Sequence, residues 1–320
     1  MTQNAKGAFF ALIAMGIFAT HDVVVKWLGE AGFSAFQTIF FASLFSFPLV
    51  SLILLGDAKE GSLRPKHPVW MVVRTLMTSA TGLAAFYAFS VLPLAQTYAI
   101  LFATPLIITI LAIPLLGENV GFRRWAAVIV GLCGVLVVLR PGTTEFSLGH
   151  LAALVAAFCG ALAAVIVRKV GKEERSVVMI LYPIMGNFIL MGAAIPFVYE
   201  PPEVEHVGGL LIIALFGLIA SYFVIQAYRI GEAAVVAPMQ YSQIIWASVY
   251  GYLLFDEHLD IWTIVGTLII IMSGVYIVIR EGQTGASETT PVLRTRMRTE
   301  TVTSPRPSLL YRVLHPRLSK

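Results

Sequence analysis

Apolar residues in this chain come in long blocks that do not alternate with polar ones. Ten blocks are legible: Gly7–Leu28, Ser34–Leu55, Trp70–Leu92, Leu94–Leu116, Trp125–Leu139, Gly149–Val170, Val177–Tyr199, Val207–Tyr228, Ala233–Phe255 and Ile261–Ile279. A helix needs roughly 20 apolar residues to cross a hydrocarbon core of about 30 Å, so most blocks predict one transmembrane helix each. The fifth is short as drawn and is expected to begin near Phe122. Turn chemistry separates the blocks: Gly29 and Glu30, Gly56 and Asp57, Pro93, Gly117 and Glu118, Arg140 to Gly142, Gly171 and Lys172, Pro201 and Pro202, Gly231 and Glu232, Asp256 and Glu257. Barrel strands are excluded, because they would alternate polar and apolar positions. The first block is too long for the core of a signal peptide, and His21, Asp22 and Lys26 stand where a cleavage site is expected. It predicts a retained helix.

Composition agrees with a lipid-embedded chain. Of 320 residues, 58% are hydrophobic and 12% charged, about half the charge of a soluble domain, and the mean hydropathy is +0.84. The net charge of +4 is therefore no sign of nucleic-acid binding; the placement of the charges matters more. With ten spans, Lys6, Lys59, Arg64, Lys66, Arg74, Arg123, Arg124, Arg168, Lys169, Lys172, Arg175, Arg229 and Arg280 fall on the side of both termini. The opposite side receives Lys26 and Arg140. The positive-inside rule puts the basic side, with both termini, in the cytoplasm. After Arg280 the chain turns rich in Ser, Thr, Arg and Pro, so residues 281–320 are expected to be a disordered, basic cytoplasmic tail. Cys133 and Cys159 lie inside apolar blocks and read as small buried hydrophobes.

The blocks repeat. Gly7 to Gly29 aligns without gaps on Gly149 to Gly171, matching Ala14 to Ala156, Val23 to Val165 and Lys26 to Arg168. Tyr87, Ala88 and Phe89 meet Gln226, Ala227 and Tyr228; Leu116, Gly117 and Glu118 meet Phe255, Asp256 and Glu257; Gly134 and Arg140 meet Gly274 and Arg280. Residues 7–140 and 149–280 thus form two five-helix repeats. Five being odd, the second copy enters the membrane from the other side. Inverted repeats are an architecture of secondary transporters, because two such halves can exchange conformations around a central site.

Polar residues at membrane depth are costly and tend to face a bundle interior, which makes them the site candidates. In the first helix, Asp22 and Lys26 stand four apart and are expected to pair, with His21 beside them. His21 and Asp22 are also candidates for substrate contact or for carrying a coupling proton. In the ninth helix, Gln240 and Gln243 lie near Tyr241, Trp246 and Tyr250, just after Pro238. The eighth adds Ser221, Tyr222 and Gln226; the third adds Tyr87, and the fourth Tyr98, Phe102, Thr104 and Pro105. Such a lining suits a heteroaromatic or zwitterionic solute better than a bare ion. The sixth helix carries Ala152, Ala153, Ala156, Ala157, Gly160, Ala161, Ala163 and Ala164, a small face that reads as helix packing. Glu118 and Glu257, at helix ends, read as capping or anchoring residues.

The stretch from Tyr87 to Gln96, with Thr104 and Pro105, Leu116 to Glu118, Arg123 to Trp125, Gly131 to Val135 and Leu139 to Gly142, resembles the drug/metabolite transporter superfamily, in its ten-helix form with two EamA repeats. The end of the first helix, His21, Asp22 and Lys26, is similar to that family's. Relatives often carry an Arg early in the second helix, near Ala42 here, so no role for that Arg carries over. The resemblance implies a central cavity lined by helices one, three, four, six, eight and nine; the polar and aromatic residues read above at membrane depth, Tyr87, Tyr98, Tyr222, Gln226, Gln240, Gln243 and Trp246, are the substrate-binding candidates expected to face it. It implies inner-membrane location, a small-molecule substrate and no cofactor. No phosphate-binding G-x-x-x-x-G-K-[ST] loop, no H-E-x-x-H, no G-x-S-x-G and no cluster of metal ligands occurs. A transporter of this kind is therefore expected to draw on a proton gradient or on the solute's own gradient rather than on ATP hydrolysis within this chain. The competing readings are an intramembrane enzyme and a scaffold or receptor that moves nothing.

Overall fold

The computed structural model describes residues 3–56, 63–117, 121–140, 147–170, 173–174, 176–230 and 236–283. Within them the chain is helical and contains no strand. The helices are α1 (Gln3–Glu30), α2 (Ala35–Gly56), α3 (Pro68–Val91), α4 (Leu94–Leu101), α5 (Thr104–Leu116), α6 (Phe122–Leu139), α7 (Leu148–Val170), α8 (Ser176–Val198), α9 (Val204–Ile230), a 3-10 turn (Ala237–Ser242), α10 (Gln243–Phe255) and α11 (Ile261–Gln283). Glu118 and the tail from residue 284 lie outside the described residues.

Six helical segments are each long and apolar enough to cross a bilayer: Ala5–Glu30, Pro68–Val91, Leu94–Leu116, Leu148–Val167, Val178–Val198 and Val204–Val224. Ala35–Pro48, Trp125–Leu139 and Ile261–Ile277 are shorter apolar helices. Large apolar side chains such as Ile189, Leu253 and Met272 are exposed on the outside, which in water would be a liability and in lipid is the expected surface. This is a multi-pass membrane protein.

Local chemistry places the breaks. Leu92 is extended, at φ −111 and ψ 156, because the ring of Pro93 disfavours helical geometry in the residue before it. Gly117 ends α5 in the left-handed region at φ 69, and Asp256 ends α10 there at φ 53. Two blocks that look continuous in hydropathy are interrupted. The fourth becomes α4 and α5, parted at Phe102 and Ala103, and the ninth begins as a 3-10 turn before α10. Pro105 has no N–H to offer the carbonyl of Leu101; the Thr104 hydroxyl donates to that carbonyl instead, at 2.6 Å.

Every helix of the first half packs chiefly on one of the second. α1 runs along α9, α3 along α7, α2 along α8 and α6 along α11, while α4 crosses α10 and α5 lies on α7. Among lipid tails close packing substitutes for the hydrophobic effect, and small residues permit it. At the α6–α11 contact a Cβ on Gly134 would lie 2.9 Å from the carbonyl oxygen of Gly266, and one on Gly266 would lie 2.7 Å from that of Gly134. A dense cluster including Leu28, Phe33, Phe86, Leu92 and Leu94 fills the bundle where α1 and α3 end.

Candidate substrate cavity

A cavity of about 460 Å³ lies between α1, α3, α4, α5, α7, α8 and the 3-10 turn with the start of α10, within the range of small-molecule sites. α3 supplies Arg74, Thr78, Thr81, Ala85 and Phe89, whose spacing of three and four residues puts them on one helical face. α7 supplies Ala156, Gly160, Ala163, Ala164 and Val167, and α8 supplies Met179, Ile180, Pro183, Ile184 and Asn187. Met15, Phe18 and Asp22 come from α1, Tyr98 and Leu101 from α4, Phe102 from the break after it, Thr104 and Pro105 from α5, and Gln240 and Gln243 from the ninth block.

Asp22 is the centre of one end. It is 2% exposed. The Tyr98 hydroxyl donates to its Oδ2, and His21 Nδ1 lies 2.7 Å from its Oδ1. The Tyr98 ring packs edge-on against Phe89, with centroids 5.3 Å apart, which fixes the hydroxyl toward α1. Deeper along the wall, Ser79 donates to the Asn187 amide oxygen at 2.5 Å, tying α3 to α8. At the far end the Arg74 guanidinium donates to the carbonyl oxygen of Met179.

Beyond Asp22 the bundle is closed by a polar knot. Lys26, 6% exposed at its side chain, lies 3.1 Å from Glu257 and 3.3 Å from Glu30. It donates to the carbonyls of Phe89 and Leu92 at 3.4 and 3.1 Å, the unpaired acceptors of the end of α3. Glu257 in turn accepts from the backbone N–H of Leu94 at 2.8 Å, at the start of α4. The expected Asp22–Lys26 pair therefore gives way to a different arrangement. Lys26 finds helix-end carbonyls and a second-half carboxylate, whereas Asp22 finds Tyr98 and His21.

Of the candidates read from sequence, Asp22, Tyr98, Gln240 and Gln243 line the cavity, and His21 touches it through Asp22. Four others are placed elsewhere. Tyr87 is 41% exposed, since it is two residues from Ala85 and so turned about 200° off the α3 cavity face. Tyr222 and Gln226 are on α9, which packs along α1 and supplies nothing to the lining; Tyr222 is exposed and Gln226 half-buried. The side chain of Ser221 lies outside the described residues. Trp246 stacks toward Tyr250 and stands against Gly16 of α1, outside the cavity. The place expected for the eighth helix is taken by α8, the seventh block, which the position of Gly186 lets approach Thr75 of α3 closely. Four polar lining residues, Arg74, Thr78, Thr81 and Asn187, escaped the sequence reading. Arg74 agrees with the positive-inside rule, and the Arg74, Thr78, Thr81 spacing is the signal that marks it as part of a polar stripe. Asn187 is the lone amide in its apolar block. The small face of α7 serves two purposes: Ala153, Ala157 and Ala161 are fully buried in packing, while Ala156, Gly160, Ala163 and Ala164 form a cavity wall.

The model of the EamA-like transporter family matches residues 5–140 and again 147–280. The chain belongs to the EamA-like transporter family. Similar proteins span nearly its whole length. An S-adenosylmethionine uptake transporter of Rickettsia prowazekii (strain Madrid E) is 27% identical over 283 residues, covering 88% of this chain and 95% of the relative. A riboflavin transporter of Rhizobium johnstonii is 25% identical, covering 86% and 91%. A pseudopaline exporter of Pseudomonas aeruginosa is 25% identical, covering 83% and 94%. A solved crystal structure matches at a TM-score of 0.60 and 16% identity, covering 89% of this EamA-like chain and 99% of its own; that likeness speaks to the fold. With transporters as its relatives, this EamA-like protein is a small-metabolite transporter and not an enzyme.

Proposed function

We propose that this EamA-like transporter carries a heteroaromatic or zwitterionic metabolite across the cell inner membrane by alternating access, with the Asp22–Tyr98–Gln243 cavity as its substrate site. The observation that carries the reading is a cavity of metabolite size, lined by amides, hydroxyls and aromatic rings and closed at the Lys26–Glu257 end. Ten spans in two inverted halves, residues 7–140 and 149–280, are supported by the helix pairing. Exchanging the halves turns the α1–α9 contact into the α7–α3 contact and leaves α2–α8 and α6–α11 in place. Both interrupted helices, the fourth and ninth blocks, meet at the cavity, as discontinuous helices do at midplane sites of secondary transporters. With both termini cytoplasmic, the closed end is the outer one. Asp22, held by His21 and Tyr98, is suited to carry a coupling proton. The basic tail, 281–320, stays a cytoplasmic appendage in this reading.

S-adenosylmethionine is both heteroaromatic and zwitterionic, which makes it the first solute to try. Purified protein reconstituted in proteoliposomes should take up or exchange labelled S-adenosylmethionine, or a member of a panel that includes riboflavin, faster than empty vesicles. A protonophore reports whether the movement draws on a proton gradient. Absence of flux for every solute, from protein that is folded by size-exclusion chromatography, would overturn the assignment.

A further inference from the structure

Asp22 and Arg74 are the charged side chains lining the cavity among the described residues, and they stand at opposite ends. From Arg74 to Phe89, the ring beside Tyr98 and hence Asp22, α3 rises by about 22 Å at about 1.5 Å per residue. The cavity is therefore elongated and electrically polarised, with an anion at one end and a cation at the other. Among the described residues its fixed charges sum to zero. Between them lie uncharged donors and acceptors, Thr78, Thr81 and Asn187.

A basic residue that served only to orient a helix would extend its guanidinium to the headgroups. Arg74 instead donates to the carbonyl of Met179 on α8, across the cavity wall, so the guanidinium is held where the cavity ends. A guanidinium is planar and matches a carboxylate with two parallel N–H donors. A phosphate dianion fits less well, since one arginine would leave it half-neutralised in a cavity that also contains the Asp22 carboxylate.

We propose that Arg74 is a carboxylate-binding subsite, so that the solute is a carboxylate-bearing metabolite oriented with its acid toward Arg74, at the end of the cavity away from Asp22. This rests on the transport reading and narrows it to a substrate class.

Matched pairs of probes test it. S-adenosylmethionine and its decarboxylated form differ in the carboxylate alone, as do tryptophan and tryptamine; riboflavin, which has no carboxylate, completes the set. Binding is read by thermal shift and flux in proteoliposomes, for wild type, Arg74→Gln and Arg74→Lys. Wild type should favour the acid of at least one pair by about tenfold or more. Arg74→Gln should level that pair by weakening the acid and leaving the amine unchanged, and Arg74→Lys should keep part of the preference. The subsite is overturned if wild type treats the members of each pair alike, if Arg74→Gln preserves the preference, or if it weakens acid and amine equally, which would mark Arg74 as a structural residue. It is likewise overturned if riboflavin alone is carried. A chain that carries none of the five solutes loses the transport reading itself, and the subsite with it.

Discussion

Replacing Glu257 by Gln should unlock the Lys26 end of the bundle, which is the outer end in the proposed topology. The change is nearly isosteric, and the amide oxygen can still accept the Leu94 N–H that Glu257 accepts at 2.8 Å. What disappears is the charge facing Lys26 at 3.1 Å. The bare Coulomb attraction at that distance is about 5 kcal/mol at an effective dielectric of about 20. Most of it is offset by the cost of removing both ions from water. Lys26 also keeps the carbonyls of Phe89 and Leu92 and the half-exposed Glu30. The net loss should then be about 1.5 kcal/mol, as for a hydrogen bond to a charged group, and it falls on the state that is closed outside. About 1.4 kcal/mol is a factor of ten, so the outward-open fraction should rise by roughly that factor. The readout is a cysteine placed at Ala85 on the cavity wall, with exposed Cys133 and buried Cys159 first replaced. An impermeant thiol reagent added outside intact cells should label it about ten times faster in Glu257→Gln, while Glu257→Asp, which keeps the charge, stays nearer wild type. Unchanged or slower labelling in a folded Glu257→Gln protein would refute the role given to the knot.

Gln243→Leu should impair flux at least severalfold without loss of folding, because it keeps volume and removes a polar group that lines the cavity; normal flux would remove Gln243 from the site. Ala157→Leu should lower expression and melting temperature, since Ala157 is 0% exposed in the α7 packing face and overpacking a filled interior costs typically about 1–3 kcal/mol; a melting temperature equal to wild type would show that the face has room.

The membrane class, the block boundaries and the repeat landmarks were legible in the sequence because lipid imposes one demand on every segment: a backbone satisfied within its own helix. The helix breaks were less legible. Nothing in hydropathy separates Leu94–Leu101 from Thr104–Leu116; only Pro105, with Thr104 to take over the stranded carbonyl, signals the interruption. For the site, polarity at depth drew attention to Asp22, Tyr98, Gln240 and Gln243, which line the cavity. It could not give the rotation of a helix about its axis. Tyr87 is as polar as Tyr98 yet faces away from the cavity, and Arg74 was hidden by its agreement with the positive-inside rule. Lys26 shows the same limit: four residues from Asp22 on one helix, it takes partners more than sixty residues away in sequence, the carbonyls of Phe89 and Leu92 and the carboxylate of Glu257.

Because Ala156, Gly160, Ala163 and Ala164 of α7 bound the chamber with almost no side chain, its capacity and its chemistry are written on different helices. The groups that can grip a solute come mainly from α1, α3, α4, α8 and the start of α10; the room for it comes largely from what α7 leaves out. A single methyl-scale enlargement on α7 can exclude a bulkier cargo and spare the contacts that hold a smaller one. Proteins built on this plan can thus diversify by size first, through substitutions that look silent in any comparison of polar residues.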